Sequence, residues 1–235
     1  MVKDLVFTNG RTLKPGTMFC IGSNYAKHAR EMGGEVPDTP TVFLKPPQAI
    51  IHNGEVIKLP SLSIHVHHEV ELIVVIGKEC MCVQKEEAHE YIAGYGVGID
   101  VTMRDVQNEA KKNGKPWAIA KGFYTSAPVS EIIPAEQFPE YVPVFELSLS
   151  VNDKVRQREL TSAMERNVSS LIEFLSKVFT LLPGDIIFTG TPQGVGELLA
   201  GDKIHAKLKT VADSKVQVAE GSDFRNFVSL DIDVK

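Results

Sequence analysis

The amino-acid sequence predicts an α+β fold that is mainly β. Two apolar runs, residues 72–76 and 92–99, are short and uninterrupted, as is typical of buried strands. Apolar and polar side chains alternate over residues 144–151, which predicts a further strand. Helical periodicity is clearest at residues 168–182, where apolar side chains recur every three or four positions. Strands therefore outnumber helices, and the helices are scattered singly along the chain.

The other elements follow from local patterns. A strand–turn lead-in is predicted over residues 1–16, with the turn at Asn9-Gly10, and residues 126–143 are predicted to form a proline-rich loop. A helix is predicted from a cap at Ser23 or Asn24 to Gly33-Gly34. Strands are also predicted over residues 17–21, 42–45, 56–59, 68–76, 154–158, 186–189, 203–208 and 227–234, and helices over residues 84–91 and 102–112.

Composition narrows the class of protein. The 235 residues are 43% hydrophobic and 23% charged, which is ordinary for a globular chain, and no repeat or linker divides them, so we expect a single domain over residues 1–235. The net charge of −5 and the lack of a basic block argue against a nucleic-acid partner. No apolar run approaches the roughly 20 residues needed to span a membrane. Three cysteines without a signal-peptide core predict reduced thiols and a cytoplasmic protein.

The most informative feature is a group of three carboxylates near strand ends. Glu69 and Glu71 are two positions apart at the start of an apolar strand, so their side chains point to the same face. Asp100 ends the apolar run 92–99. Like charges on one buried face are unfavourable unless a cation compensates them, and oxygen ligands suit a hard divalent ion. The alternative is two exposed glutamates on an edge strand and an aspartate capping the next helix.

Other candidate residues are ambiguous when each is taken alone. His28 and Glu31 lie three apart on a predicted helix, where a carboxylate would orient the imidazole as a general base, although a surface pair explains the spacing equally simply. Arg104 follows Asp100 and suits a substrate carboxylate, and Lys121 is a lone lysine between apolar stretches. A solvated charge is the simpler interpretation of each. The glycine-rich segment 189–196 could bind an anion through its backbone N–H groups, or it could simply form a tight turn that requires positive φ angles.

Taken together, these motifs resemble the fumarylacetoacetate hydrolase superfamily, in particular its small acylpyruvate hydrolase and oxaloacetate decarboxylase members. The resemblance rests on five ordered motifs that span residues 17 to about 210: the segments 22–31, 67–71, 98–107, 121–123 and 183–196. It implies a mixed β-sandwich/β-roll with a few peripheral helices, and a homodimer. One departure is visible: some members have an acidic residue three positions after the lysine, where this chain has Tyr124.

The resemblance also assigns roles to residues. It implies that Glu69, Glu71 and Asp100 bind Mg²⁺ or Mn²⁺, and that His28 and Glu31 form a catalytic dyad on a segment able to act as a lid. Lys121 belongs to the catalytic set. Arg104, Gln107 and Thr191 match positions that surround the substrate, a small 2-keto acid.

The expected activity is hydrolysis of the C–C bond of acylpyruvates, such as acetylpyruvate or fumarylpyruvate, to pyruvate and a carboxylic acid. The reaction would pass through a metal-stabilised enolate, and the same enolate would arise by decarboxylation of oxaloacetate. Alternative activities are isomerisation of 2-hydroxy-dienedioates in aromatic catabolism and tautomerisation of oxaloacetate. An alternative of another class is a non-catalytic 2-keto-acid binding protein, although mere binding has no need of a base such as His28.

Overall fold

The computed structural model describes residues 2–211 and 227–235, and we number its elements in chain order. The strands are β1 (Leu5–Val6), β2 (Thr12–Leu13), β3 (Met18–Gly22), β4 (Thr41–Lys45), β5 (Ile50–Ile51), β6 (Val56–Ile57), β7 (Val66–His68), β8 (Val70–Ile76), β9 (Ile92–Ile99), β10 (Thr102–Met103), β11 (Ala127–Pro128), β12 (Ile133–Pro134), β13 (Phe145–Val151), β14 (Lys154–Leu160), β15 (Ile186–Phe188), β16 (Gly196–Glu197), β17 (Lys203–Thr210) and β18 (Phe227–Val234). The helices are α1 (Ala26–Glu31), α2 (Arg104–Lys112), α3 (Ala118–Lys121) and α4 (Val168–Val178).

Two large sheets pack face to face, which confirms the mainly β prediction. The six-stranded sheet has the order β12-β9-β8-β15-β3-β4, with β15 and β3 parallel and its other pairs antiparallel. The five-stranded sheet has the order β14-β13-β17-β18-β6, with only the β18–β6 pair parallel. Strand β13 packs on β8, and β17 and β18 pack on β9. This pairing of sheets is the predicted sandwich.

The six-stranded sheet is buried on both faces. On β8, Leu72 and Val74 point into the core between the two large sheets. Ile73 and Val75 point to the opposite face, into a second core that the N-terminal segment covers with Leu5 and neighbouring residues. A strand buried on both sides needs apolar residues at every position, which explains the uninterrupted apolar pattern of β8 and β9 in the sequence.

The alternating glycines of β9 allow the second core to pack closely. A Cβ atom added at Gly98 would lie 2.7 Å from Ile73 and from Phe188, closer than carbon atoms approach. The same addition at Gly96 would meet Ile132 at 2.9 Å. The absence of side chains at these glycines therefore lets Ile73 of β8 and Phe188 of β15 pack directly over β9.

Several helix boundaries differ from the predictions. Residues 84–91 form only a 3₁₀ turn at Ala88–Tyr91, because so short a segment with one buried side chain gains too little packing to offset helix nucleation. Helix α2 begins two residues late, since Thr102 and Met103 pair with β7. Helix α4 ends at Val178, where Phe179 turns extended.

The predicted cap of the first helix is wrong for a physical reason. The Asn24 side chain is fully buried and donates to the carbonyls of Thr189 and Arg166, at 2.8 and 2.9 Å. It therefore ties the start of α1 to two distant loops and cannot cap the helix. The remaining strand predictions are confirmed within about two residues. The predicted loop 126–143 contains the short strands β11 and β12. No helix among the described residues is long and apolar enough to cross a bilayer.

Candidate metal centre and catalytic site

The candidate site lies at one end of the six-stranded sheet, where several strand ends converge. Strand β8 starts there, and its antiparallel neighbours β9 and β15 end there. Strand β3 is parallel to β15, so it also ends there and leads into α1. The pocket at this end is lined by all the predicted site residues except Glu31, namely His28, Glu69, Glu71, Asp100, Arg104, Gln107, Lys121 and Thr191.

The three carboxylates form one buried cluster. Oxygen atoms of Glu69, Glu71 and Asp100 lie within 4.8 Å of one another, and the three residues are at most 5% exposed. The sheet itself creates this arrangement. The N–H of Asp100 donates to the carbonyl of Glu69 at 2.8 Å, which continues the β8–β9 ladder, and Gly98 pairs with Glu71. The cluster agrees with the prediction that Glu69 and Glu71 point to one face, and it places Asp100 beside them. The role of the three residues as metal ligands stays a prediction.

Basic side chains neutralise the negative charge of some carboxylates in the cluster but not of others. Lys121 Nζ donates to Glu69 at 2.8 Å and to Asp100 at 2.5 Å, and Arg104 also pairs with Glu69. Burial alone would raise the pKa of Glu69, but the charges of Lys121 and Arg104 hold it well below its usual range. Glu71 has no ion-pair partner among the described residues and accepts the N–H of Gly190 at 2.7 Å. Burial and then the charges of Asp100 and Glu69 raise the pKa of Glu71 well above its ordinary value.

This donor set fits a hard divalent cation. It offers carboxylate oxygens on three side chains, and within the described residues no cysteine or histidine joins the cluster. Mg²⁺ and Mn²⁺ prefer such oxygen ligands. A cation beside Glu71 would also compensate the one carboxylate that lacks a basic partner. Glu69, Glu71 and Asp100 are therefore the residues able to hold a metal.

Arg104 and Gln107 occupy one face of α2 and bond to each other. The guanidinium of Arg104 donates to Gln107 Oε1 at 2.6 Å, in addition to its pair with Glu69. Because the amide oxygen of Gln107 is engaged, its NH₂ group remains as the donor that this side chain offers to the pocket. Arg104 Nε is buried and has no hydrogen-bond partner among the described residues. Both side chains thus present donors to an anionic ligand.

His28 and Glu31 form the predicted pair on α1. His28 Nδ1 lies 3.0 Å from Glu31 Oε2, and His28 is only 6% exposed. An ionised carboxylate only accepts hydrogen bonds, so Nδ1 carries the proton and Nε2 is left unprotonated in the neutral ring. Both Glu31 oxygens accept the N–H of Gly194, at 3.0 and 3.2 Å. The glycine-rich segment therefore fixes Glu31, which in turn orients His28.

Thr191 is held by a residue that the sequence analysis missed. Its hydroxyl donates to the carbonyl of Val70 and accepts from Gln157 Nε2, both at 2.8 Å. Gln157 also accepts from the N–H of Val70 at 3.1 Å and lies 2.9 Å from His68 Nδ1. Gln157 belongs to β14, whose polar pattern gave no sign that one side chain is 1% exposed and joins the two large sheets. The hydroxyl proton of Thr191 is therefore used in the hydrogen bond to Val70, so this group cannot also donate to a ligand.

Three further residues near the site were missed. Lys45 at the end of β4 is fully buried, with Nζ 2.8 Å from Asp100 Oδ1. A lysine directly after an apolar strand was the one available signal. Phe43 and Trp117 line the pocket, and Lys121 Nζ lies 4.9 Å from the centre of the Phe43 ring. Tyr124, which replaces the acidic residue of some family members, is 55% exposed and does not line this pocket.

Comparison with known proteins agrees with this geometry. Residues 17–219 match the model of the fumarylacetoacetate hydrolase C-terminal family. The chain is 47% identical over 185 residues to oxaloacetate tautomerase YcgM of Escherichia coli, covering 79% of this chain and 84% of the relative. It is 44% identical over 199 residues to the mitochondrial oxaloacetate tautomerase FAHD1 of Bos taurus, covering 85% of this chain and 90% of that one.

A solved structure resembles the fold closely. Fumarylpyruvate hydrolase from Pseudomonas aeruginosa, crystallised with Mn²⁺ and pyruvate, superposes with a TM-score of 0.86 at 32% sequence identity. The superposition covers 99% of this chain and 96% of that one. The mainly β fold with several sheets is therefore shared with a protein that binds a divalent metal and a 2-keto acid.

We expect Glu71→Gln to separate metal binding from stability. Glutamine keeps the volume and can still accept the Gly190 N–H, but it removes a ligand charge, so Mn²⁺ affinity should fall by about 10²-fold or more. The metal-free variant should melt at a higher temperature, because the repulsion from Glu69 and Asp100 is gone. Calorimetric Mn²⁺ titration and thermal unfolding measure the two effects.

The exposed variant Glu79→Gln is the control for this experiment and should change neither quantity. Wild-type Mn²⁺ affinity in Glu71→Gln would show that Glu71 is not a ligand.

Proposed function

Because the chain belongs to the fumarylacetoacetate hydrolase family, we propose that it is a metal-dependent enzyme that interconverts the keto and enol forms of oxaloacetate. The observation that carries the proposal is the buried cluster of Glu69, Glu71 and Asp100, with Arg104 and Lys121 against it. Such a cluster suits a 2-keto acid, whose carboxylate and keto oxygens present two adjacent acceptors. Two relatives more than 40% identical to this chain are oxaloacetate tautomerases, which supports the choice of substrate.

Metal binding is part of the proposal. Glu69, Glu71 and Asp100 would hold Mg²⁺ or Mn²⁺, which when bound supplies Lewis acidity to the substrate's keto and carboxylate oxygens. Arg104 and Gln107 would orient the carboxylate through their remaining N–H groups. The pocket also excludes water from this end of the substrate, since the side chains that surround it are almost fully buried.

Lys121 would stabilise the negative charge that develops on the keto oxygen. Burial alone would lower the pKa of Lys121, but the carboxylates of Asp100 and Glu69 outweigh that effect and raise it. Lys121 therefore stays an ammonium group at neutral pH and acts as fixed positive charge rather than as a base.

His28 would move the proton. Tautomerisation takes a proton from C3 of oxaloacetate and places one on the C2 oxygen, so the carbon–hydrogen bond breaks and an oxygen–hydrogen bond forms. The unprotonated Nε2 of His28 would accept the C3 proton, and Glu31 would stabilise the resulting imidazolium. Returning a proton to oxygen restores the neutral ring and completes the cycle without net proton uptake.

The position of Lys111 favours a substrate with two carboxylates. Lys111 follows Gln107 by one turn of α2, about 6 Å along the helix axis, and lines the mouth of the same pocket. Its Nζ lies 5.0 Å from the centre of the Trp117 ring. No carboxylate of the described residues lies within ion-pair distance of it. The second carboxylate of oxaloacetate would supply that partner.

The first test of this proposal is the ultraviolet absorbance of enol-oxaloacetate with the purified protein. We expect its decay to the keto form to accelerate when Mg²⁺ or Mn²⁺ is present and to return to the uncatalysed rate after chelation. The metal ions alone, without protein, provide the control. No acceleration by a metal-loaded protein would exclude oxaloacetate tautomerisation.

A second candidate function is hydrolysis of acylpyruvates, which the His28–Glu31 geometry favours. The same His28 Nε2 would take a proton from water, which attacks the distal carbonyl, and cleavage of the C–C bond would release a carboxylic acid and the enolate of pyruvate. The structural similarity to a fumarylpyruvate hydrolase supports this candidate. Decarboxylation of oxaloacetate would reach the same enolate by loss of CO₂ without a water attack.

We expect His28→Ala to reduce pyruvate release from acetylpyruvate by about 10²-fold or more, because the general base is lost. Mn²⁺ affinity should stay at the wild-type value, since His28 is not among the carboxylate ligands. The exposed His205→Ala variant should retain full activity. Wild-type hydrolysis by His28→Ala would exclude the dyad, and no hydrolysis by the wild-type enzyme would exclude this second function.

We also propose that the enzyme is a homodimer that uses an exposed apolar groove beside α3. Leu62, Ile119 and Tyr124 line this groove and are 65%, 65% and 55% exposed. Large apolar groups at one place on a surface commonly mark a protein interface. A second copy packed there would buttress α3, which carries Lys121.

Light scattering tests the dimer. The wild-type protein should have twice the mass of one chain, and Ile119→Glu should give a monomer, because burying the new carboxylate in an apolar contact is unfavourable. Val155→Glu, a similarly exposed position on β14, should leave the dimer intact. A wild-type protein at the mass of one chain would overturn the proposal.

A further inference from the structure

Lys45 is a buried cation that neither the sequence analysis nor the proposed chemistry uses. It ends β4, and 1% of its surface is exposed. The polar contacts of its ammonium group within the described residues are all to oxygen atoms. Asp100 Oδ1 lies at 2.8 Å, the carbonyl of Ser126 at 2.9 Å, the hydroxyl of Ser126 at 3.1 Å and the carbonyl of Val101 at 3.3 Å. It also donates to the carbonyl of Lys121.

The oxygens around Lys45 offer acceptors to all three N–H donors of an ammonium group. A neutral amine has two N–H donors and a lone pair, whereas the oxygens around Lys45 are acceptors, together with one hydroxyl that already donates to the carbonyl of Lys121 at 2.8 Å. The ammonium charge faces the Asp100 carboxylate directly. Asp100 Oδ2 accepts a hydrogen bond from Lys121 Nζ at 2.5 Å, whereas Oδ1 has no hydrogen-bond partner among the described residues and faces Lys45 as an ion pair.

Lys45 joins parts of the sheet that are not neighbours. In the six-stranded sheet, β8, β15 and β3 separate β9 from β4. The end of β4 nevertheless contacts Asp100 and Val101, which directly follow β9, so the sheet curls back on itself. Lys45 thus connects the end of β4 to the residues that follow β9. It also donates a hydrogen bond to the carbonyl of Lys121, the last residue of α3.

The two oxygens of Asp100 are thus held from two sides. Lys45 lies beside Oδ1, and Lys121 donates to Oδ2 at 2.5 Å. The hydrogen bond at Oδ2 and the ion pair at Oδ1 together restrict rotation of the carboxylate. Because Lys45 also fixes the main chain of Lys121, one ammonium group sets the relative position of a candidate metal ligand and of the cation next to it.

We propose that Lys45 is a positioning residue for the metal centre, which orients Asp100 and the Lys121 segment without contacting substrate. The inference rests on the proposed metal binding by Glu69, Glu71 and Asp100. It concerns the geometry of that site and applies whichever 2-keto acid the enzyme uses.

The test is Mn²⁺ titration of the substrate-free protein with Lys45→Met. We expect Mn²⁺ affinity to fall about 10- to 100-fold, the range typical of groups that orient metal ligands. The electron paramagnetic resonance spectrum of the remaining bound Mn²⁺ should also change. Ile204→Val, a core change in the five-stranded sheet, controls for lost stability and should alter neither measurement.

The outcomes separate this inference from the proposed function. A wild-type protein that fails to bind Mn²⁺ would overturn both. Wild-type binding with unchanged affinity and spectrum in a folded Lys45→Met variant would overturn only the role of Lys45. If Lys45→Met does not fold, the double variant Lys45→Met/Asp100→Asn decides. Recovery of folding there supports action through Asp100, and continued misfolding would assign Lys45 to its carbonyl contacts alone and overturn the proposal.

Discussion

The structure depends on one buried cluster of opposite charges. Three carboxylates, Glu69, Glu71 and Asp100, are brought together by three cations, Lys45, Lys121 and Arg104, in a region almost closed to water. Taking charges out of water costs several kcal/mol per ion, so such a cluster persists only with near-complete pairing. Pairing is complete for Glu69 and Asp100 but not for Glu71. A cation bound beside Glu71, as proposed, would remove that imbalance.

The fold provides the rigidity that the cluster requires. The six-stranded sheet is packed on both faces, and the glycines of β9 let neighbouring side chains approach its backbone closely. Backbone hydrogen bonds between β8 and β9 then set the carboxylates side by side. Gln157 reaches across from the other large sheet and fixes Thr191 with a side chain whose hydrogen-bonding groups are all satisfied. Strand pairing and packing thus hold the carboxylates side by side, while backbone N–H groups of the segment 189–196 hold Glu71 and Glu31.

In the proposed activities, different residues carry out charge stabilisation and proton transfer. Lys121 and Arg104 are held by ion pairs and suit the first task, whereas His28 lies on α1 and is oriented through Glu31, which Gly194 holds in turn. Decarboxylation of oxaloacetate and C–C hydrolysis of an acylpyruvate both form the enolate of pyruvate, whereas tautomerisation forms the enolate of oxaloacetate itself. In each reaction the negative charge develops on the C2 oxygen, and the reactions differ in which bond is broken. The proposed activities would therefore use the same positive charges, those of Lys121 and Arg104. They would differ in the proton that the His28–Glu31 pair moves and in the group at the far end of the substrate. Lys111 at the mouth of the pocket is where a second carboxylate would be recognised.

The sequence alone determined much of this picture. Glu69 and Glu71 had to share a face because strand side chains alternate, and His28 and Glu31 had to be neighbours because helix residues three apart are adjacent. These are local rules with short periods. Lys121, Arg104 and Thr191 were individually ambiguous, and only the ordered set of motifs, through its resemblance to a family, predicted their common site.

Only the tertiary structure decided the contacts between distant segments. Nothing local to Lys45 indicates that it contacts Asp100, because that contact arises only when the six-stranded sheet curls and brings the ends of β4 and β9 together. Gln157 looks like an ordinary polar residue of an exposed strand, and Asn24 looks like a helix cap, until the packing of other segments buries both. The burial of a side chain and the choice of its partner depend on how the whole chain folds. The sequence therefore identifies the charged groups, and the tertiary structure determines which of them form pairs.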